Sequence, residues 1–159
     1  MDGLIIARVL HVLAIVIWIG GVAMVTTVIL PAIRKSSLGA DWLRAFNAIE
    51  RRFAWQARTA IIVVGASGFY MVGADNLWDR FRSAAFWWMH AMVGIWLLFA
   101  IGLFVVEPFI VHRRLERLAA ANPARFFRRL QLVHWVLLAL SLITIFGAVA
   151  GSHGFWFGA

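Results

Sequence analysis

The sequence predicts an all-α membrane protein, an antiparallel bundle of four transmembrane helices. Three observations predict it. Hydrophobic residues make up 64% of the 159 residues and charged residues only 14%. With a mean hydropathy of +0.88, that is more apolar surface than a water-soluble fold can hide. Four apolar runs come close to or exceed the ~20 residues that cross a bilayer as a helix. Most of the basic residues fall in two connections between those runs, the pattern of membrane topology.

The first run covers about 4–33, with Arg8 and His11 as its only ionisable residues and Pro31 near its end. It is long enough to cross with tilt. Its start, Met1-Asp2-Gly3, has no basic stretch and leads into an apolar run too long for a signal peptide. The first helix is therefore expected to be retained as an anchor. The second run, about 57–74, carries Gly65, Ala66, Ser67 and Gly68, small residues that let a neighbouring helix or a flat ligand approach the backbone. The third, about 84–106, holds His90 as its only ionisable residue, and the fourth, about 130–151, has His134 near its start. Together they use up the chain, which reads as a single transmembrane domain over 1–159.

Charge orients the helices. Six Lys or Arg lie between Arg34 and Arg58 and six more between Arg113 and Arg129, while the remaining segments share Arg8, Arg80 and Arg82. The positive-inside rule places both basic connections in the cytoplasm and both termini outside. Trp78, Trp87, Trp88 and Trp156 then fall at outer ends, as an aromatic belt does. In the first basic connection Trp42, Leu43, Phe46, Ile49 and Phe53 recur at helical spacing among arginines, the pattern of a short helix lying on the inner interface.

Composition also narrows the chemistry. The formal charge of +8 is concentrated in those connections and not along a groove-sized face, so no nucleic acid is expected. The lipid bilayer is the expected surrounding, and an oligomer is compatible with the sequence. Without cysteine, thiolate metal sites, disulfides and all-cysteine iron–sulfur clusters are excluded. Histidine, methionine and carboxylates remain as ligands.

An ionisable residue inside a membrane span marks a functional candidate. His11 lies seven residues after Leu4 and His90 six after Ala84, so at 1.5 Å per residue both sit about 10 Å inside the outer boundary. In an up-down bundle the first and third helices can face each other, a geometry in which His11 and His90 would hold one iron from opposite sides of a porphyrin. Arg8, nearly one turn further out on the stripe Arg8, His11, Ile15 and Trp18, can pair with a haem propionate or snorkel to headgroups. Ala7, Ala14 and Gly21 form an adjacent stripe with little bulk, the gap that a flat macrocycle needs.

His112 and His134 lie toward the cytoplasmic side, where a second group would need them. The context His112-Arg113-Arg114 reads more simply as a solvated face. His153 lies just beyond the fourth helix and reads as a tail residue, and Glu107 reads as an interfacial partner of nearby arginines. Met24, Met71, Met89 and Met92 raise copper, because thioether and imidazole suit Cu(I), although packing on helices that need apolar residues anyway is the safer account of them.

The first helix reads His11-Val12-Leu13-Ala14-Ile15-Val16-Ile17-Trp18-Ile19-Gly20-Gly21, or H-x-x-A-x-x-x-W-x-G-G. This pattern resembles the copper resistance protein D (CopD) family and the related HemJ-type protoporphyrinogen oxidases, small helical membrane proteins. Arg52-Phe53, Trp88-Met89-His90-Ala91 and Phe126-Phe127-Arg128-Arg129-Leu130 resemble the corresponding places in these families, so the likeness touches all four helices or their approaches. The HemJ resemblance implies haem b bound through His11 and oxidation of a porphyrinogen. In that type a lysine usually follows the third-helix His-Ala pair, where this chain has Met92. The CopD resemblance implies copper uptake. It also implies the inner membrane of a bacterium as the location.

The resulting expectation is a haem b protein, with His11 and His90 as iron ligands and Arg8 beside them. It would act in electron transfer or a coupled oxidation, with a redox partner or a quinone. Bis-histidine iron changes charge without an open coordination site, which suits electron transfer. The alternatives are copper transport and HemJ-like protoporphyrinogen oxidation. No residue is singled out as catalytic.

Overall fold

A computed structural model of the chain describes residues 2–34, 42–111 and 123–155. Among them there is no strand. The helices are α1 (Asp2–Met24), α2 (Leu30–Arg34), α3 (Trp42–Ala74), α4 (Trp87–Ile101) and α5 (Pro123–Ser152). Four helical stretches are long and apolar enough to cross a membrane: Asp2–Ile33, Arg51–Ala74, Ala84–Glu107 and Phe127–Ser152. Each contains most of the corresponding run expected from the sequence.

The surface is inverted relative to a water-soluble bundle. Only between 6% and 33% of the most apolar window of each span is buried within the protein. Ile5, Val16, Leu132 and Phe146 are each more than half exposed. Apolar surface on this scale needs a non-aqueous surrounding or further protein to cover it.

Two spans contain wide π-helical stretches, and each has a proline. Val25–Ile29 joins α1 to α2 just before Pro31, and Gly102–Val111 continues α4 through Pro108. A proline has no N–H to give to the carbonyl four residues back and its ring crowds that carbonyl. A five-residue repeat shifts the pairing, as where the Leu30 N–H bonds the Val25 carbonyl. The Thr26 hydroxyl adds a bond to the Val22 carbonyl at 2.6 Å, and the Thr27 hydroxyl one to Ala23 at 2.8 Å.

No proline or glycine interrupts 42–64, and α3 runs unbroken from Trp42 to Ala74. The short interfacial helix expected around Trp42–Phe53 is therefore the start of the second span's own helix. Asp75 N–H still bonds the Met71 carbonyl at 3.0 Å. The chain then turns at Asn76, whose φ of 51° is left-handed, a conformation that asparagine tolerates. Ser83 starts the third span by accepting from the Ala85 N–H.

The first span packs most extensively against α3, and α4 against α5. The fourth span packs against both the first and the third. The core is built on Trp18, Ile19, Ile61, Val64, Phe99 and Leu138, with the Trp18 and Phe99 rings, from α1 and α4, edge to face at 4.9 Å. A second cluster joins Ile29, Leu30 and Ile33 to Phe127. Gly65 is required by a close approach, since a Cβ there would stand 2.6 Å from the Trp96 indole. Trp96 lies in that notch and donates its Nε1–H to the Ile61 carbonyl at 2.9 Å.

Candidate functional site

Among the four spans lies a cavity in which the centre of a water molecule has about 280 Å³ to move. All four spans and the 75–82 loop contribute to its wall. The first span supplies one helical stripe, Arg8, His11, Ile15, Trp18 and Ile19, which are neighbours at intervals of three and four residues. Met89, Met92 and Trp96 come from the third span, and Ser141 and Thr144 from the fourth.

His11 is the histidine of this cavity. Its Nδ1 is 3.0 Å from the Val64 carbonyl oxygen and 3.0 Å from Ser67 Oγ. Ser67 donates its own proton to the Val63 carbonyl at 2.6 Å, so its oxygen faces His11 as an acceptor. Two acceptors around one nitrogen require the proton on Nδ1. In the neutral ring the lone pair is then on Nε2, and Nε2 has no partner among the described residues. The ring fits because residue 68 is glycine: a Cβ there would stand 3.2 Å from His11 Cε1. The stretch Gly65-Ala66-Ser67-Gly68, expected to admit a neighbouring helix or a flat ligand, thus receives the imidazole of the first span and the Trp96 indole of the third.

The mouth is charged. Arg8 and Arg80, both exposed, line it together with Asp75. The Arg80 guanidinium lies 5.0 Å from the centre of the Phe86 ring. Neither arginine forms an ion pair with a described residue. Elsewhere Glu107 pairs with Arg58 at 2.8 Å, and Arg58 Nε donates to the Leu103 carbonyl at 3.2 Å within the second π-helical stretch.

His90 is elsewhere. It is exposed and lines a separate recess with Phe81, Ser83 and Trp87. Its Nε2 is 2.9 Å from the Phe81 carbonyl and its ring meets the Phe81 ring edge to face. The expected pairing of His11 and His90 across one group is thus not assembled in this cavity. Equal depth fixes height along the bundle, but each residue also turns about 100° around the helix axis. Trp88 and Met89, both buried, together with Met92, set the inward face of the third span. His90 falls on the other side.

His134 and His153 do not line the cavity. His134 bonds the Leu130 carbonyl of its own helix at 2.9 Å, and His153, exposed, bonds Val149 at 2.8 Å. His112 lies outside the described residues, as does Trp156. Among the described residues no group of three or more His, Asp or Glu is arranged to hold a metal ion. The sequence pattern placed Ile15 and Trp18 on the His11 stripe without giving them a role, and it did not single out Arg80. The signal for Trp18 was present, because it stands seven residues after His11 and so on the same face.

Comparison of the chain with protein-family models, with curated proteins and with solved structures finds no match.

Proposed function

We propose that this chain is a four-span antiparallel protein of a bacterial inner membrane, both termini outward, that binds haem b through His11 and works in electron transfer or a coupled oxidation. The observation that carries the reading is His11 itself: its Nδ1–H is tied to Val64 and Ser67, and its lone-pair nitrogen belongs to the wall of a largely apolar cavity. Imidazole held this way through its second nitrogen is the usual arrangement of a metal-binding histidine. The donor set fits haem at one axial position. The cations at the mouth, Arg8 and Arg80, suit the two carboxylates at one edge of an otherwise apolar ring. Bound haem would supply a one-electron centre.

In this reading His11 carries the iron without His90, and the remaining soft donors on the wall are Met71, Met89 and Met92. The resemblance to the CopD and HemJ-type families, read from H-x-x-A-x-x-x-W-x-G-G, adds support. The test is an absorption spectrum of protein purified from cells supplied with haem. The expected result is a reduced-state haem band that His11→Ala abolishes and His90→Ala leaves in place. A protein purified colourless under those conditions would refute the proposal.

The three cavity methionines beside His11 favour a second reading, Cu(I) binding for transport. Stoichiometric copper in a colourless preparation would select it. Turnover of a porphyrinogen by haem-loaded protein would instead place the chain with the HemJ-type oxidases.

A further inference from the structure

Trp18 stands two helical turns below His11 in the cavity wall and is 4% exposed. Among the described residues its Nε1–H is the one buried side-chain polar atom without a hydrogen-bond partner. Phe99, the ring packed edge to face against it, offers no oxygen. Buried indole N–H groups usually find an acceptor, because leaving such a donor unpaired forfeits its hydration. Trp96, on the same wall, has found one in the Ile61 carbonyl.

The hydroxyls that the fourth span brings to the same cavity wall are already committed as donors. Ser141 gives its proton to Leu137 and Thr144 to Leu140, each at 2.8 Å. Their oxygens are left to accept. Among the described residues the only arginines or lysines in the cavity wall are Arg8 and Arg80 at the mouth, and neither of these favours a carboxylate or phosphate beside Trp18. A purely aliphatic molecule would leave the indole unpaired.

We infer that the inner end of this cavity binds a quinone, an uncharged ring compound soluble in the bilayer, with Trp18 Nε1–H donating to one of its carbonyl oxygens. The accepting hydroxyls of Ser141 and Thr144 suit the O–H of the reduced, quinol form. The site lies about 10 Å along the helix from His11 and does not depend on what His11 holds.

The experiment uses the full chain, carrying ¹⁵N-labelled indoles, in lipid nanodiscs, with and without haem. It is titrated with a short-tailed benzoquinone and, as a control, with an alkylbenzene of the same tail. The indole N–H resonance of Trp18, identified by its loss in Trp18→Phe, should move on saturation with the quinone and stay in place with the alkylbenzene. Trp18→Phe should bind the quinone about tenfold more weakly, the effect of one lost hydrogen bond. A resonance unmoved by saturating quinone, or moved equally by the alkylbenzene, overturns the inference. Should Trp18→Phe fail to fold, the carbonyl stretch of the quinone bound to the unaltered protein decides: a shift to lower frequency supports the site and an unshifted band overturns it. Loss of haem binding with the Trp18 response intact would count against the haem reading alone.

Discussion

His11 and Val64 are joined by a hydrogen bond of 3.0 Å from imidazole Nδ1 to a backbone carbonyl, so the ring is held by a group that no side-chain substitution removes. Ser67 is the second acceptor and is removable. Ser67→Ala should weaken haem binding about tenfold, the lower end of what outer hydrogen-bond partners contribute at metal sites. The reduced-state band should survive, because Val64 still orients the ring. A haem titration monitored by absorbance measures both, and an unchanged affinity would mean that Val64 alone fixes the imidazole.

Gly68 leaves the space that this imidazole occupies. Gly68→Val should displace the ring, since even a Cβ comes within 3.2 Å of His11 Cε1. Haem binding should be lost while the protein still unfolds cooperatively. Thermal unfolding in detergent, read beside the haem titration, separates a displaced ligand from a collapsed fold.

Trp96 is seated against Gly65 more tightly than His11 against Gly68, in a structural role. Gly65→Ala brings a methyl to within 2.6 Å of the indole, and overpacking of this kind costs about 1–3 kcal/mol. The midpoint of unfolding in mixed micelles should fall accordingly. An unchanged midpoint would show that α3 and α4 separate easily at this contact.

Arg58 and Glu107 form a partly exposed pair, with side-chain exposures of 28% and 21%. Glu107→Gln should destabilise the protein by about 1–2 kcal/mol, between the values of surface and buried pairs. A double-mutant cycle with Arg58→Leu should return a coupling of similar size. Zero coupling would assign the effect to the Arg58 bond with the Leu103 carbonyl.

Orientation is tested independently of any ligand. A C-terminal reporter that is active only outside the cytoplasm should be active, and the same reporter placed in the connection after Arg113 should be silent. The reverse pattern would invert the assignment drawn from the two blocks of arginines.

The spans were legible because length and hydropathy are properties of a run, and each run reports them without its neighbours. The positions of His11 and His90 along their own helices are likewise a count of residues at fixed rise. Which way each pointed was not. His11 shares its stripe with Trp18, and that stripe faces the cavity. His90 shares its stretch with Trp88 and Met89, two bulky residues that compete for the inward side and take it. Azimuth is settled by packing between helices, and one helix's pattern does not contain the other. Arg80 was out of reach because its place at the mouth depends on how the 75–82 loop folds back over the bundle.

Val25–Ile29 bears on how this protein can change length over evolution. An α-helix has no spare residue: deleting one between His11 and Trp18 would turn the two about 100° away from their present common face. The wide stretch does have a spare. A single deletion there can tighten it to ordinary α geometry, at the cost of a bend at Pro31. The stripe above it and the Leu30–Ile33 contact with Phe127 below it would then keep their faces. Homologues one residue shorter or longer in the first span should therefore differ between Val25 and Ile29, and the segment from Arg8 to Trp18 should keep its length.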